Sequence, residues 1–222
     1  MGVKIVHLSD IHFSEINKDE HFSKLEPLIT QIENLGNKKE NLIILVSGDI
    51  AYSGDKEEYK EASRFFRKLR SDTNKFFLNA YIYFVPGNHD CNLGEDEYAT
   101  ERRKVIDELI NNRTLPTNEN IRYISKPLSN YFNFSRIVSS YVNKKSLLHH
   151  TQTIDLGYLV LNINLINTAW MSTLHESKTL LMPKEFFDFS TKSSNSSKKI
   201  LNIFVYHHPR SWFVSEDDHI FR

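Results

Sequence analysis

The chain has 222 residues, 40% of them hydrophobic and 12% aromatic, enough to bury a substantial core in one α/β domain, and this excludes a disordered chain. Lys plus Arg and Asp plus Glu both number 28, which removes any global basic field for nonspecific nucleic-acid binding and leaves only a local groove open. One cysteine, Cys91, excludes an internal disulfide; with no secretory leader and no stretch near the roughly 20 apolar residues that span a bilayer, a cytoplasmic protein without a membrane partner is expected.

Val3–Leu8 is a short apolar run rich in β-branched residues, and residues 42–46 and 81–85 repeat the type. They read as three buried strands of a parallel sheet. Between them, residues 21–35 carry Phe22, Leu25, Leu28, Ile29 and Ile32 at helical spacing, and residues 57–69 place Tyr59, Ala62, Phe65, Phe66 and Leu69 on one face. The spacing predicts two crossover helices whose apolar stripes pack on the sheet.

Residues 97–111 read as a charged helix and 114–127 as a loop bracketed by prolines, while 129–142 form an aromatic segment whose type the pattern leaves open. Residues 91–150 are accordingly expected as an insertion over one end of the sheet. Strands are predicted at 151–155, 158–163 and 200–206, with Leu156 and Gly157 as a hairpin turn and a Ser- and Lys-rich loop at 191–199. Asn167 and Trp170, after a strand, read as a turn cap and a packing residue.

Four short runs each follow one of these apolar segments: Ser9-Asp10-Ile11-His12, Ser47-Gly48-Asp49, Gly87-Asn88-His89-Asp90 and His207-His208-Pro209. Carboxylate, amide and imidazole are the mixed oxygen and nitrogen donors of divalent transition metals, and strand ends are where they can converge. Asp10 and His12, one residue apart, share a side of an extended segment and can hold one metal. Asp49 follows a glycine that lets the backbone turn tightly, and its two oxygens can bridge two cations; it can equally serve as a turn aspartate. Asn88 can ligate through its amide oxygen. His89 can face the substrate as an acid or a charge stabiliser, with Asp90 orienting its ring. His207 and His208 stand before a proline-stiffened turn, and one of them is a ligand candidate.

The succession Asp-x-His, Gly-Asp, Gly-Asn-His-Asp and His-x-Pro, spread over residues 10 to 209, resembles the calcineurin-like metallophosphoesterase superfamily. The resemblance implies an α/β fold of two β-sheets forming a sandwich flanked by helices (αββα). It also implies a dinuclear site in which Asp10, His12 and Asp49 hold one metal, and Asp49, Asn88 and His207 the other. Two divalent ions, Mn²⁺ favoured over Fe, Zn²⁺ or Ni²⁺, would serve hydrolysis of a phosphoester by a hydroxide held between them, with His89 and Asp90 as the catalytic pair. A phosphodiester such as a nucleotide or nucleic acid is favoured over a phosphomonoester.

The Gly-His-x-His motif that members usually supply after a further strand is missing, and His219 lacks both the glycine and the second histidine. The expectation is one domain over residues 1–222 that forms the N-terminal part of a longer protein, with the C-terminal part of the fold missing. The alternative is a reduced site in a weakly active or inactive domain that binds a partner or regulates an attached module.

Overall fold

The computed structural model of the chain describes residues 2–94, 96–140, 146–173, 180–182 and 198–214. Its first half alternates strand and helix: β1 (Val3–Leu8), α1 (Lys18–Asn34), β2 (Asn41–Ser47), α2 (Lys56–Thr73) and β3 (Asn79–Val85). The helical crossovers bring the three strands into a parallel sheet in the order β1-β2-β3. Central β2 is buried along its whole length. Leu42, Ile44 and Val46 join Phe65, Phe66 and Leu69 of α2 in one core, whereas Ile43 and Leu45 belong to a second apolar layer on the opposite face. Burial on both faces explains why this segment is continuously apolar rather than alternating.

Three helices follow, α3 (Ala99–Asn112), α4 (Asn118–Ile124) and α5 (Ser129–Val138), and then β4 (His149–Asp155), β5 (Leu159–Ile166) and β6 (Lys199–Val205). β4 and β5 form an antiparallel hairpin, and β6 pairs with β5 in parallel. The hairpin closes at Leu156, whose N–H donates to the Leu159 carbonyl at 2.9 Å, with Gly157 at φ 91°. Leu161, Ile163, Leu165 and Val205 pack on Ile43, Leu45, Tyr83 and Val85. Two three-stranded sheets thus face each other across an apolar layer, with helices outside, as the resemblance implies.

Differences from the sequence expectation lie in the middle of the chain. The segment 114–127, expected as a loop, contains α4. Thr117 Oγ1 accepts from the Asn120 N–H at 3.1 Å, and Asn120 Oδ1 accepts from the Thr117 N–H at 3.0 Å. This is a capping box with asparagine in the place of the usual Glu or Gln. The aromatic segment left open at 129–142 forms α5, which buries Tyr131, Phe134 and Val138 in the same core as α2. Helices α3 and α4 pack elsewhere, joining Ile106, Leu109, Ile121 and Ile124 to Trp170 and Met171. β5 runs on to Ile166. The loop expected at 191–199 lies, through residue 197, outside the described residues, as does His219. No helix among the described residues is long and apolar enough to cross a membrane.

The two faces of the first sheet's strands make a stability contrast. Ile44 is fully buried and Ile5 is 44% exposed. In urea unfolding, Ile44→Ala is expected to destabilise by about 2–5 kcal/mol, and Ile5→Ala to stay within roughly 1 kcal/mol of the parent protein.

Candidate metal centre

Each of the four motifs lies at the C-terminal end of a strand: β1, β2, β3 and β6. The exits of β1 and β2 remain side by side beyond the sheet. Asp10 N–H donates to the Gly48 carbonyl at 3.2 Å, His12 N–H to the Asp49 carbonyl at 3.0 Å, and Phe13 N–H to the Ile50 carbonyl at 2.8 Å. Asp10, His12 and Asp49 all adopt left-handed backbone, at φ 54°, 55° and 51°. Such a conformation is uncommon outside glycine and costs about 1–3 kcal/mol per residue. Arg113 is the other non-glycine at positive φ among the described residues, so the strain is concentrated at the donors.

The exit of β3 presses on that of β2. A Cβ added to Gly87 would lie 2.1 Å from Asp49 Oδ1, and one added to Gly48 would lie 2.6 Å from His207 Nδ1 and 2.8 Å from the Gly87 nitrogen. Only hydrogen fits in either place. After Gly87, a single 3₁₀ turn carries Asn88, His89 and Asp90. Asn88 is half-buried in it.

Asp49 is the common point. Its Oδ2 lies 3.7 Å from His12 Nε2 and its Oδ1 lies 3.4 Å from His207 Nε2, while Oδ1 also accepts from the His89 N–H at 3.0 Å. Donor atoms of Asp10, Asp49 and His207 lie within 4.8 Å of one another, and so do those of His12, Asp49 and His89. Neither group holds Asp10 and His12 together, the pair that the sequence expectation sets on one metal. That expectation assumes an extended segment, and left-handed backbone at both residues removes the alternation it depends on.

Two carbonyls fix two of the imidazoles. His207 Nδ1 bonds the Ser47 carbonyl at 2.8 Å and His89 Nδ1 bonds the Tyr52 carbonyl at 2.7 Å. A carbonyl only accepts, so each Nδ1 carries the hydrogen and each Nε2 is left for the site. The His89 ring packs edge-on against that of His12, centroids 4.6 Å apart. His12 Nδ1 is buried and has no hydrogen-bond partner among the described residues. Ser9 Oγ donates to the exposed Asp10 carboxylate.

Asp90, expected to orient the His89 ring, is fully buried and acts on the backbone instead. Its carboxylate accepts from the N–H groups of Ala51 (2.9 Å), Ile50 (3.1 Å) and Gly87 (2.9 Å) and from the Tyr59 hydroxyl (2.8 Å). Burial pushes its pKa up to about 6, against the pull of these donors. The physical reason is direction: the His89 ring turns to the Tyr52 carbonyl, and the next side chain along the turn faces inward. His208 likewise turns to the core, where its Nδ1 bonds Thr168 Oγ1 at 2.9 Å and burial lowers its pKa to about 3. Of the two adjacent histidines, His207 faces Asp49.

Asn167 caps its turn, accepting from the Ala169 N–H at 3.0 Å, and the buried Trp170 donates to the Leu181 carbonyl at 2.9 Å. Sequence reasoning missed Tyr52 and Tyr59 as parts of the site, and it assigned no role to Ser47, although Ser47 opens one of the four runs. Ser47 and Tyr52 act through main-chain carbonyls, which carry no residue signature, and Tyr59 sits among the apolar stripe of α2.

The donor set therefore fits a divalent metal: oxygens and imidazole nitrogens converge on one buried carboxylate, beside a buried imidazole nitrogen without a partner among the described residues. Comparison with known proteins points the same way. The family model for calcineurin-like phosphoesterases matches residues 3–220. A protein of Xenorhabdus bovienii named as a probable cyclic nucleotide phosphodiesterase is 32% identical over 111 residues, covering 47% of this chain and 41% of the relative. A protein of Nostoc sp. named as a 3′,5′-cyclic-nucleotide phosphodiesterase is 26% identical over 100 residues, covering 44% of this chain and 34% of the relative. The match spans less than half of either relative's length.

Two substitutions test the geometry. Gly87→Ala forces its Cβ onto Asp49 Oδ1 and is expected to weaken Mn²⁺ binding at least tenfold in calorimetric titration, the equivalent of about 1.4 kcal/mol. In Asp90→Asn, the Gly87 N–H meets an amide NH₂ in place of Oδ2. A loss of about 1–3 kcal/mol is expected in urea unfolding, the cost of one buried donor left without an acceptor.

Proposed function

The chain belongs to the calcineurin-like phosphoesterase family, and we propose that it hydrolyses phosphodiesters with two divalent metal ions, Mn²⁺ favoured, held on either side of Asp49. The observation that carries this reading is the arrangement of that one carboxylate, each of whose oxygens faces a different imidazole nitrogen, at 3.7 and 3.4 Å. A carboxylate set between two nitrogen donors is suited to bridging two cations. On one side Asp10 and His207 gather with Asp49, and on the other His12 and His89 do; of that second pair we assign His12 to the metal and keep His89 for proton transfer, with Asn88 a further oxygen donor on the turn that presses against Asp49. Bound there, the ions would supply charge for the phosphoryl oxygens and a nucleophile from water at neutral pH.

The protein's own groups account for the rest of the reaction. Hydrolysis adds water across one P–O bond, and the oxygen that departs needs a proton. His89 is the residue for that step: its Nδ1–H is committed to the Tyr52 carbonyl, so a proton on Nε2 is the one it can donate to the leaving oxygen and recover from solvent. Its main-chain N–H is fastened to Asp49 Oδ1, which ties the acid to the bridging carboxylate. Asp90 acts as a positioning residue, holding the backbones of Ile50, Ala51 and Gly87 that carry Asp49 and His89. The names of the relatives favour a nucleotide diester as substrate.

With added Mn²⁺, the purified protein is expected to turn over bis-p-nitrophenyl phosphate faster than p-nitrophenyl phosphate. Asp49→Asn should lose bound metal, measured by elemental analysis, together with activity. His89→Ala should keep its metal while kcat falls by about 10²–10⁴, the usual contribution of a general acid. Loss of metal in His89→Ala would make His89 a ligand instead. Absence of turnover of either ester, with metal content unchanged in Asp49→Asn, would leave a noncatalytic module.

A further inference from the structure

Beside the donor groups stands a side chain that the chemistry above does not use. Tyr52 is 57% exposed, and yet its backbone is fixed on both sides. Its N–H donates to the Phe13 carbonyl at 3.0 Å and its carbonyl accepts from His89 Nδ1 at 2.7 Å. The residues before it are equally held, since the Ile50 and Ala51 N–H groups bond the Asp90 carboxylate. The phenol ring lies 5.7 Å from the His89 ring, inclined at 39°, and 6.2 Å from the His12 ring at 70°. Among the described residues, it is the exposed large apolar side chain whose ring contacts the histidines of the candidate site.

We propose that the Tyr52 ring is the surface on which the aromatic base of a nucleotide substrate stacks while its phosphate lies at the donor centre beside His89. The inference rests on the site being a phosphodiesterase centre, and it adds which residue selects the substrate. The order of groups supports it: the bridging carboxylate, the candidate acid and the exposed ring follow one another in space, and the carbonyl that holds the acid belongs to the residue that carries the ring. A base bound to that centre through its ribose phosphate covers an aromatic face that otherwise stays in water. Stacking of a base on an aromatic side chain is worth a factor of about ten or more in affinity. A fixed backbone means that little main-chain order is lost when the base arrives.

The test uses the whole chain loaded with Mn²⁺, and compares adenosine 5′-monophosphate with glycerol 3-phosphate in equilibrium dialysis. Hydrolysis is compared in parallel between 3′,5′-cyclic AMP and glycerophosphoethanolamine, a diester without an aromatic group. Tyr52→Ala is expected to lower affinity for the nucleotide about tenfold and to shift the kcat/KM ratio of the two diesters against cyclic AMP by a similar factor, chiefly through KM. Tyr52→Phe should restore both to within about twofold of the parent, because the stacking face remains.

The inference is overturned if Tyr52→Ala leaves the nucleotide affinity and the diester ratio unchanged. It is also overturned if both ligands weaken equally, since Tyr52 would then merely shape the loop that holds His89. Failure of the parent protein to hydrolyse either diester sinks the phosphodiesterase reading separately. In that event a nucleotide that binds the parent and not Tyr52→Ala still supports the stacking surface, and one that binds neither overturns it.

Discussion

A single buried carboxylate, Asp90, holds the exits of β2 and β3 together, and the positions of the donor groups depend on it. It accepts from Ile50 and Ala51 on one strand exit and from Gly87 on the other, with Tyr59 of α2 closing the set. A carboxylate with no exposure to water is costly unless its lone pairs are filled, and here four donors fill them. The interaction draws two backbones so near each other that neither Gly48 nor Gly87 tolerates a side chain. Asp49 and His89 are carried on those backbones, so the Asp90 bonds set their mutual geometry together with the direct bond from the His89 N–H to Asp49 Oδ1.

This network also explains how left-handed backbone persists at Asp10, His12 and Asp49. Each such residue costs about 1–3 kcal/mol, and a hydrogen bond to a charged group contributes about 1.5–3 kcal/mol. The two magnitudes are comparable, so the Asp90 bonds and the continued pairing of the β1 and β2 exits can offset the strain. Folding therefore delivers the donors already turned toward one another. Little reorganisation is then required when a cation binds.

Much of the architecture is legible in the sequence because the physics that creates it is periodic. The continuous apolar run of β2 announces a strand buried on both sides, and the stripe from Tyr59 to Leu69 announces the helix that covers it. The four donor motifs are legible too, since each is a cluster of polar residues directly after an apolar strand. Illegible are features with no side-chain signature. The helix α4 begins at a capping box completed by Asn120, a residue that more often marks turns. Left-handed backbone at Asp10 and His12 has no residue signature either, and it replaces the extended segment from which their shared side is expected. Carbonyls of Ser47 and Tyr52 hold imidazoles irrespective of which residues supply them.

Those two carbonyls flank Asp49 in the chain, and they divide the site into unequal halves. His207 and His89 come from distant strand exits, but each is fastened through Nδ1 to the stretch between Ser47 and Tyr52 that carries the carboxylate. Their Nε2 atoms are thereby committed to the site before any ligand arrives. His12 has no such anchor on its ring. Its Nδ1 lacks a partner among the described residues, and its ring is held by the edge-on contact with His89 at 4.6 Å and the approach to Asp49 at 3.7 Å. Packing fixes a ring less firmly than a directional hydrogen bond does, so preorganisation is greatest on the His207 side. On the His12 side, the imidazole gains its remaining order from whatever occupies the space it shares with Asp49 and His89.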